Sequence, residues 1–146
     1  MKIAIVHKNI SNAGGAERYM RNLAVLFADE GCSVFVYAAK CDIVNNPKIV
    51  FHKIKTIPFP PVLKILSFAV NSEKEIKRKK YDLIIGTGNV CYQDLYFLTG
   101  GIYSKYIWIS LLKYRTFFGK FLRYVRRLLS PSHWLKLYIE KKIFAS

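Results

Sequence analysis

A chain of 146 residues that is 52% hydrophobic is long enough to bury one core and too apolar to stay disordered. Its 24 Lys and Arg outnumber 9 Asp and Glu, and the resulting charge of +15 calls for an anionic partner: nucleic acid, acidic phospholipid or a phosphorylated substrate. No stretch reaches the ~18 consecutive apolar residues of a spanning helix, and the apolar run Ile3–Val6 is too short for a secretory signal.

Ile3–His7 is apolar without alternation and reads as a buried strand of a parallel sheet. Lys8 to Ala13 turns, and Gly14-Gly15 opens a helix expected to run to about Glu30. That helix has Leu23, Ala24, Leu26 and Phe27 on one side and Gly31 as its C′ stop. Ser33–Ala38 is a second strand and Ile49–Ile54 a third. Ile57-Pro58-Phe59-Pro60-Pro61 is a rigid turn, with Pro61 suited to the first position of a helix from Val62 to about Lys80. The closing run, Lys74 and Lys77-Arg78-Lys79-Lys80, complements that helix's dipole. Tyr81–Gly86 is a further buried strand, broken by Thr87-Gly88-Asn89. Strand, helix and strand in this succession predict an α/β fold, a Rossmann-like parallel sheet with helices on both faces in a single domain, with right-handed crossovers.

The last third changes character. From Lys105 to Lys142 there are ten Lys or Arg and one acid, Glu140. On a helical wheel of residues 111–129, Lys113, Arg115, Lys120, Arg123, Arg126 and Arg127 fall within an arc of roughly 160°. Aromatic and aliphatic residues fill most of the opposite arc. Such a helix either faces a core with its basic side in solvent or docks on an anionic membrane surface. Nucleic acid is disfavoured, because there is no zinc pattern and no RNP-type sequence. Ser130-Pro131-Ser132 interrupts, and His133–Phe144 forms another helix.

In open parallel sheets a ligand lies beyond the carboxyl ends of the strands. The turns after His7 and after Ile85 are therefore expected to face one pocket, with Gly14, Gly15, Glu17, Gly88 and Asn89 as candidate binding residues. A Gly-Gly turn lets a ligand reach bare backbone, and the helix start offers N–H donors to an anion. The pair is neither the GxGxxG fingerprint nor a Walker motif. Glu17 can cap the helix or orient a sugar hydroxyl or a neighbouring loop. Asp94, flanked by aromatics, can hold a hydroxyl nucleophile or cap a turn. Cys32, Cys41 and Cys91 lack CxxC spacing and read as buried free thiols. His7, His52 and His133 stand at no ligand-like spacing from them, so no metal is expected.

The chain also resembles a known family. Ile5-Val6-His7 through Gly14-Gly15-Ala16-Glu17-Arg18-Tyr19 looks like the opening of family 4 retaining glycosyltransferases. Tyr81–Gly88, then Tyr92-Gln93-Asp94-Leu95-Tyr96 and Gly100-Gly101, is similar to the lipopolysaccharide-core glucosyltransferase branch. So is the stretch from Leu128-Leu129-Ser130-Pro131 to Glu140–Phe144. The likeness is collinear over essentially the whole chain. It implies the N-terminal, acceptor-side half of a two-domain GT-B enzyme that moves a hexose from a nucleotide sugar to a cell-envelope glycan or lipid-linked acceptor. Gly14 and Gly15 would then approach the donor diphosphate, and Asp94 would lie near the acceptor hydroxyl as the catalytic residue. The basic stretch would hold the enzyme on the cytoplasmic, inner face of the membrane. The nucleotide sugar would be a co-substrate, with no tightly bound cofactor.

The family's second Rossmann domain, with its paired-glutamate motif and most nucleotide-sugar contacts, is not in this sequence. The chain alone is therefore expected to be inactive, its other half lying in a longer frame or a separate chain. A non-catalytic membrane- or polyanion-binding module on the same fold is the alternative.

Overall fold

The computed structural model describes residues 1–42, 46–98, 101–112 and 117–144. The chain divides into two compact units, Met1–Thr99 and Gly100–Ser146.

The first unit is built on a parallel sheet of β1 (Lys2–Val6), β3 (Ser33–Ala38), β5 (Ile49–Lys53), β6 (Leu83–Gly86) and β7 (Leu95–Tyr96), in the order β5-β3-β1-β6-β7. A small second sheet pairs β2 (Asn9–Ile10) with β4 (Lys40–Cys41). Two helices, α1 (Gly15–Asp29) and α2 (Pro61–Ile76), complete the unit. Side chains of β1 alternate between the two faces, as a strand requires. Ile3 and Ile5 join Val34, Val36 and Ile85 beneath Met20, Ala24 and Ala28 of α1. Ala4 and Val6 join Tyr37 and Ile84 beneath Phe68 and Ile76 of α2. Both faces are covered, which explains why these strands are apolar throughout. Each large aliphatic side chain so buried contributes about 1.5–3 kcal/mol.

The helix boundaries follow from their caps. Gly31, at φ +86°, ends α1: its N–H donates to the Ala28 carbonyl, and the Cys32 N–H donates to the Phe27 carbonyl. These two bonds make a Schellman stop, and the left-handed backbone favours glycine there. Pro61 is the first residue of α2, as expected, but the helix ends at Ile76 rather than near Lys80. The buried positions of α1 are Met20, Ala24 and Ala28, one row at i, i+4 and i+8, and Leu26 on the expected apolar side is exposed. Small alanines in that row let the helix approach the sheet closely. Cys32, Cys41 and Cys91 are half-buried rather than buried, and none forms a disulfide.

The second unit consists of α3 (Tyr103–Leu112), α4 (Phe117–Leu128) and α5 (Pro131–Phe144), which pack on one another. Pro131, expected to interrupt the chain, is the first residue of α5, where its missing N–H costs nothing. The start of α3 is capped from a distance. Both Tyr103 and Ser104 donate their N–H groups to the Glu140 carboxylate, Ser104 at 3.0 Å to Oε2. An acid at a helix N-terminus complements the dipole, so the one carboxylate of this basic region serves to join α5 to α3. None of the helices among the described residues is long and apolar enough to cross a membrane.

Candidate functional site

The carboxyl rim of the sheet is assembled from adjacent strand ends. The His7 N–H donates to the Tyr37 carbonyl, and the Thr87 N–H donates to the Val6 carbonyl, each at 3.2 Å. The segments after β1 and β6 therefore leave the sheet side by side, as the strand order requires. The chain after β1 is held at once, because β2 pairs with β4 and Ile10 is fully buried.

The start of α1 stands in this region. Gly14 is its N-cap, in extended conformation (φ −127°, ψ 158°), and its carbonyl accepts the Arg18 N–H at 2.8 Å. No side chain caps the helix. A Cβ placed on Gly15 would meet nothing within 4 Å, and one on Gly14 would have the Glu17 side chain as its nearest neighbour, at 3.7 Å. The corner is open, and an N-terminus in this state is suited to an anion.

Glu17 does not cap its own helix. Its carboxylate accepts a hydrogen bond from the Ser11 hydroxyl and a long one, 3.5 Å, from Asn9 Nδ2. Ser11 Oγ in turn accepts the Ala13 N–H at 3.2 Å. These bonds tie the Glu17 carboxylate to the loop between β1 and α1. His7 adds a second hold on the loop, with Nδ1 against the Asn9 carbonyl. A carbonyl can only accept, so Nδ1 carries the proton and Nε2 is left as an acceptor. Burial lowers the His7 pKa below the ordinary value, and the ring is neutral near pH 7.

Gly88 takes the left-handed conformation, φ +76°, and its carbonyl accepts the Tyr96 hydroxyl at 3.1 Å. Asn89 follows it, half-buried. Asp94 is placed differently. Its carboxylate accepts the Ile84 N–H at 2.8 Å, and its own N–H donates to the Ile84 carbonyl at 2.9 Å. Gly86 is level with Tyr96 in the ladder, so Asp94 lies two residues back from the rim that carries Gly14 and Gly15. The carboxylate is engaged on the sheet through a strand N–H rather than in a turn.

Of the six basic residues of the amphipathic stretch, Lys113 and Arg115 lie outside the described residues, as do the side chains of Lys120 and Arg123. Arg126 is exposed. Arg127 is turned onto α3, where its guanidinium donates to the Ile107 carbonyl at 3.1 Å and to Ser110 Oγ at 2.6 Å. These bonds place its guanidinium, half-buried, at the junction of α3 and α4. The exposed side chains of α4 include Phe121, Tyr124 and Leu128, at i, i+3 and i+7. Among the described side chains of α4, these three apolar groups stand exposed while Arg127 is turned inward. Among the described residues, no group of His, Cys, Asp and Glu could hold a metal ion.

The sequence model for Glycosyltransferase Family 4 matches residues 13–145. The chain belongs to glycosyltransferase family 4. Its fold is similar to the crystal structure of WaaG, a glycosyltransferase involved in lipopolysaccharide biosynthesis, with a TM-score of 0.76 at 15% identity over 96% of this chain. Sucrose-phosphate synthase from Thermosynechococcus elongatus matches over 59% of the chain at 20% identity, with a TM-score of 0.46. The chain spans 35% of the first of these proteins and 27% of the second. No curated protein matches it in sequence. The family 4 assignment and the WaaG likeness agree with a GT-B, Rossmann-like architecture, and the sheet order and two-faced helix cover described above are those of that fold.

Proposed function

We propose that this chain is the acceptor-side, N-terminal domain of a glycosyltransferase that uses a nucleotide-sugar donor. The observation that carries this reading is the uncapped, unobstructed start of α1 at the carboxyl rim, where Gly14 and Gly15 leave backbone N–H groups open to a diphosphate. Gly88 and Asn89, at the end of the neighbouring strand, line the same rim. Asn9, Ser11 and Glu17 fix the loop between β1 and α1, which keeps the donors preorganised. The acceptor is a cell-envelope glycan or lipid-linked sugar, by analogy with the lipopolysaccharide role of WaaG.

Transfer with retention requires groups on both sides of the leaving diphosphate, so the 146 residues alone bind the donor weakly and do not turn it over. The placement is on the inner face of the cell membrane, supported by the +15 charge and by the exposed Phe121, Tyr124 and Leu128 of α4. The same two observations favour a second reading, a non-catalytic membrane- or polyanion-binding module.

Calorimetric titration with a panel of uridine and guanosine diphosphate sugars separates the two. The first reading expects weak donor binding that Gly15→Val abolishes. Parental-strength binding in Gly15→Val, or none by the parent, leaves the non-catalytic module. Robust sugar transfer by the 146 residues alone would contradict the inactivity proposed for them.

A further inference from the structure

α2 buries one side against the sheet, through Ile65, Phe68, Ala69, Ser72 and Ile76. Its outward side is not polar, as such a side ordinarily is. Leu63, Leu66 and Val70 stand exposed at i, i+3 and i+7, one continuous stripe along the helix. Phe59, 78% exposed, and Ile57 extend it into the turn before α2. Pro58, Pro60 and Pro61 restrict the backbone around Phe59, so holding that ring outward costs little conformational entropy. The same stripe continues into Lys74 and Lys77 at the carboxyl end of the helix, where Lys77 pairs with Glu73 at 2.6 Å.

We propose that this stripe is a lipid-docking surface of the first unit, taking an anionic bilayer as its occupant. The apolar half would enter the boundary between headgroups and acyl chains, led by Phe59, while the lysines remain among the phosphates. Charge decides against a second copy of the chain, since each carries +15 and the face itself ends in lysines. A bilayer rich in acidic lipid complements both halves at once. The proposal rests on the membrane setting proposed above, but on residues of α2 and its leading turn that α4 does not share.

Vesicle sedimentation of the 146-residue chain tests it, using equimolar phosphatidylcholine and phosphatidylglycerol against phosphatidylcholine alone. Phe59→Ser combined with Leu63→Ser should weaken partition onto the anionic vesicles by about tenfold. Phe59→Leu, which keeps an apolar side chain, should bind close to the parent. Val50→Ser, at an exposed position of β5, should bind as the parent does. The replaced side chains are exposed, so thermal unfolding of each variant should match that of the parent.

Parental binding by the α2 double variant, with binding lost on Phe121→Ser and Leu128→Ser in α4, overturns the α2 proposal and leaves the α4 placement standing. Failure of the parent to bind either vesicle overturns both. A parent that sediments as a dimer, and a double variant that sediments as a monomer, also overturns it, because the stripe is then a contact between copies. Donor titration is independent of all three outcomes, so the transferase reading stands or falls separately.

Discussion

Ile84 and Asp94 are bound to each other twice, through the Asp94 carboxylate on the Ile84 N–H at 2.8 Å and the Asp94 N–H on the Ile84 carbonyl at 2.9 Å. β7 has only two residues, so the outer side of β6 would otherwise leave the Ile84 N–H without an acceptor. Ile84 is buried, where an unsatisfied N–H is costly. Asp94→Ala should therefore destabilise the chain by about 1 kcal/mol, and Asp94→Asn, whose amide oxygen still accepts, by less than about 0.5 kcal/mol. Urea unfolding of both variants measures this. Equal stability of Asp94→Ala and the parent would show that the Ile84 N–H does not depend on this carboxylate.

The glycines of the rim should respond in opposite ways to an added methyl group. A Cβ on Gly86 would stand 2.9 Å from Gln93 Oε1 and 3.2 Å from Val90 Cγ1, so Gly86→Ala should cost about 1–3 kcal/mol through overpacking. Gly15 faces open space, and Gly15→Ala should stay within about 0.5 kcal/mol of the parent. Thermal unfolding of the two variants provides the comparison. If Gly15→Ala proves the more damaging, the first turn of α1 is not the open corner described above.

The histidines give the fold a sensitivity to acid. His7 is lowered from 6.5 chiefly by burial, with the Asn9 contact and Glu17 pulling the other way. His52 is lowered by burial and Lys79, and His133 by burial, Arg127 and Lys136. The unfolded chain takes up these protons near pH 6.5, the folded chain only at lower pH. Stability is thus complete above about pH 6.5 and declines as the pH falls through the window below it. Urea midpoints at about pH 7 and about pH 5 should show this decline, and His7→Gln should show a smaller one. An unchanged decline in His7→Gln would mean that the ring titrates normally in the folded chain.

The elements that carry periodicity were legible in the sequence: β1, α1, β3, β5, α2, β6 and α5 all stand within a few residues of where their patterns predict. The short strands were not. Asn9-Ile10 and Lys40-Cys41 pair because β1 and β3 bring them together, and two residues carry no alternation of their own. α3 was hidden for another reason. Its apolar residues are not confined to one side, and its capping group, Glu140, arrives thirty-six residues after Ser104. Glycine chemistry pointed to the Gly14-Gly15 corner, because a helix opened by two glycines is a local signal. The position of Asp94 depended on pairing with β6, which no local pattern encodes.

Two adjacent arginines of α4 should separate stability from surface charge. Arg127 donates to the Ile107 carbonyl and to Ser110 Oγ, while Ser110 Oγ itself donates to the Ile107 carbonyl at 2.8 Å. Removing the guanidinium breaks a three-membered junction between α3 and α4, so Arg127→Ala should destabilise by about 1–2 kcal/mol. Arg126 is exposed, and Arg126→Ala should change stability by less than about 0.5 kcal/mol. On anionic vesicles the order reverses. Loss of one surface cation near a charged bilayer is worth about 1 kcal/mol at moderate ionic strength, so Arg126→Ala should bind roughly fivefold more weakly, and the deficit should shrink as salt is raised. Urea unfolding and vesicle sedimentation on the same two variants make the comparison. Equal vesicle binding by Arg126→Ala and the parent would show that α4 meets the bilayer without that side chain, and full stability of Arg127→Ala would remove the junction from the account of how α3 and α4 are held together.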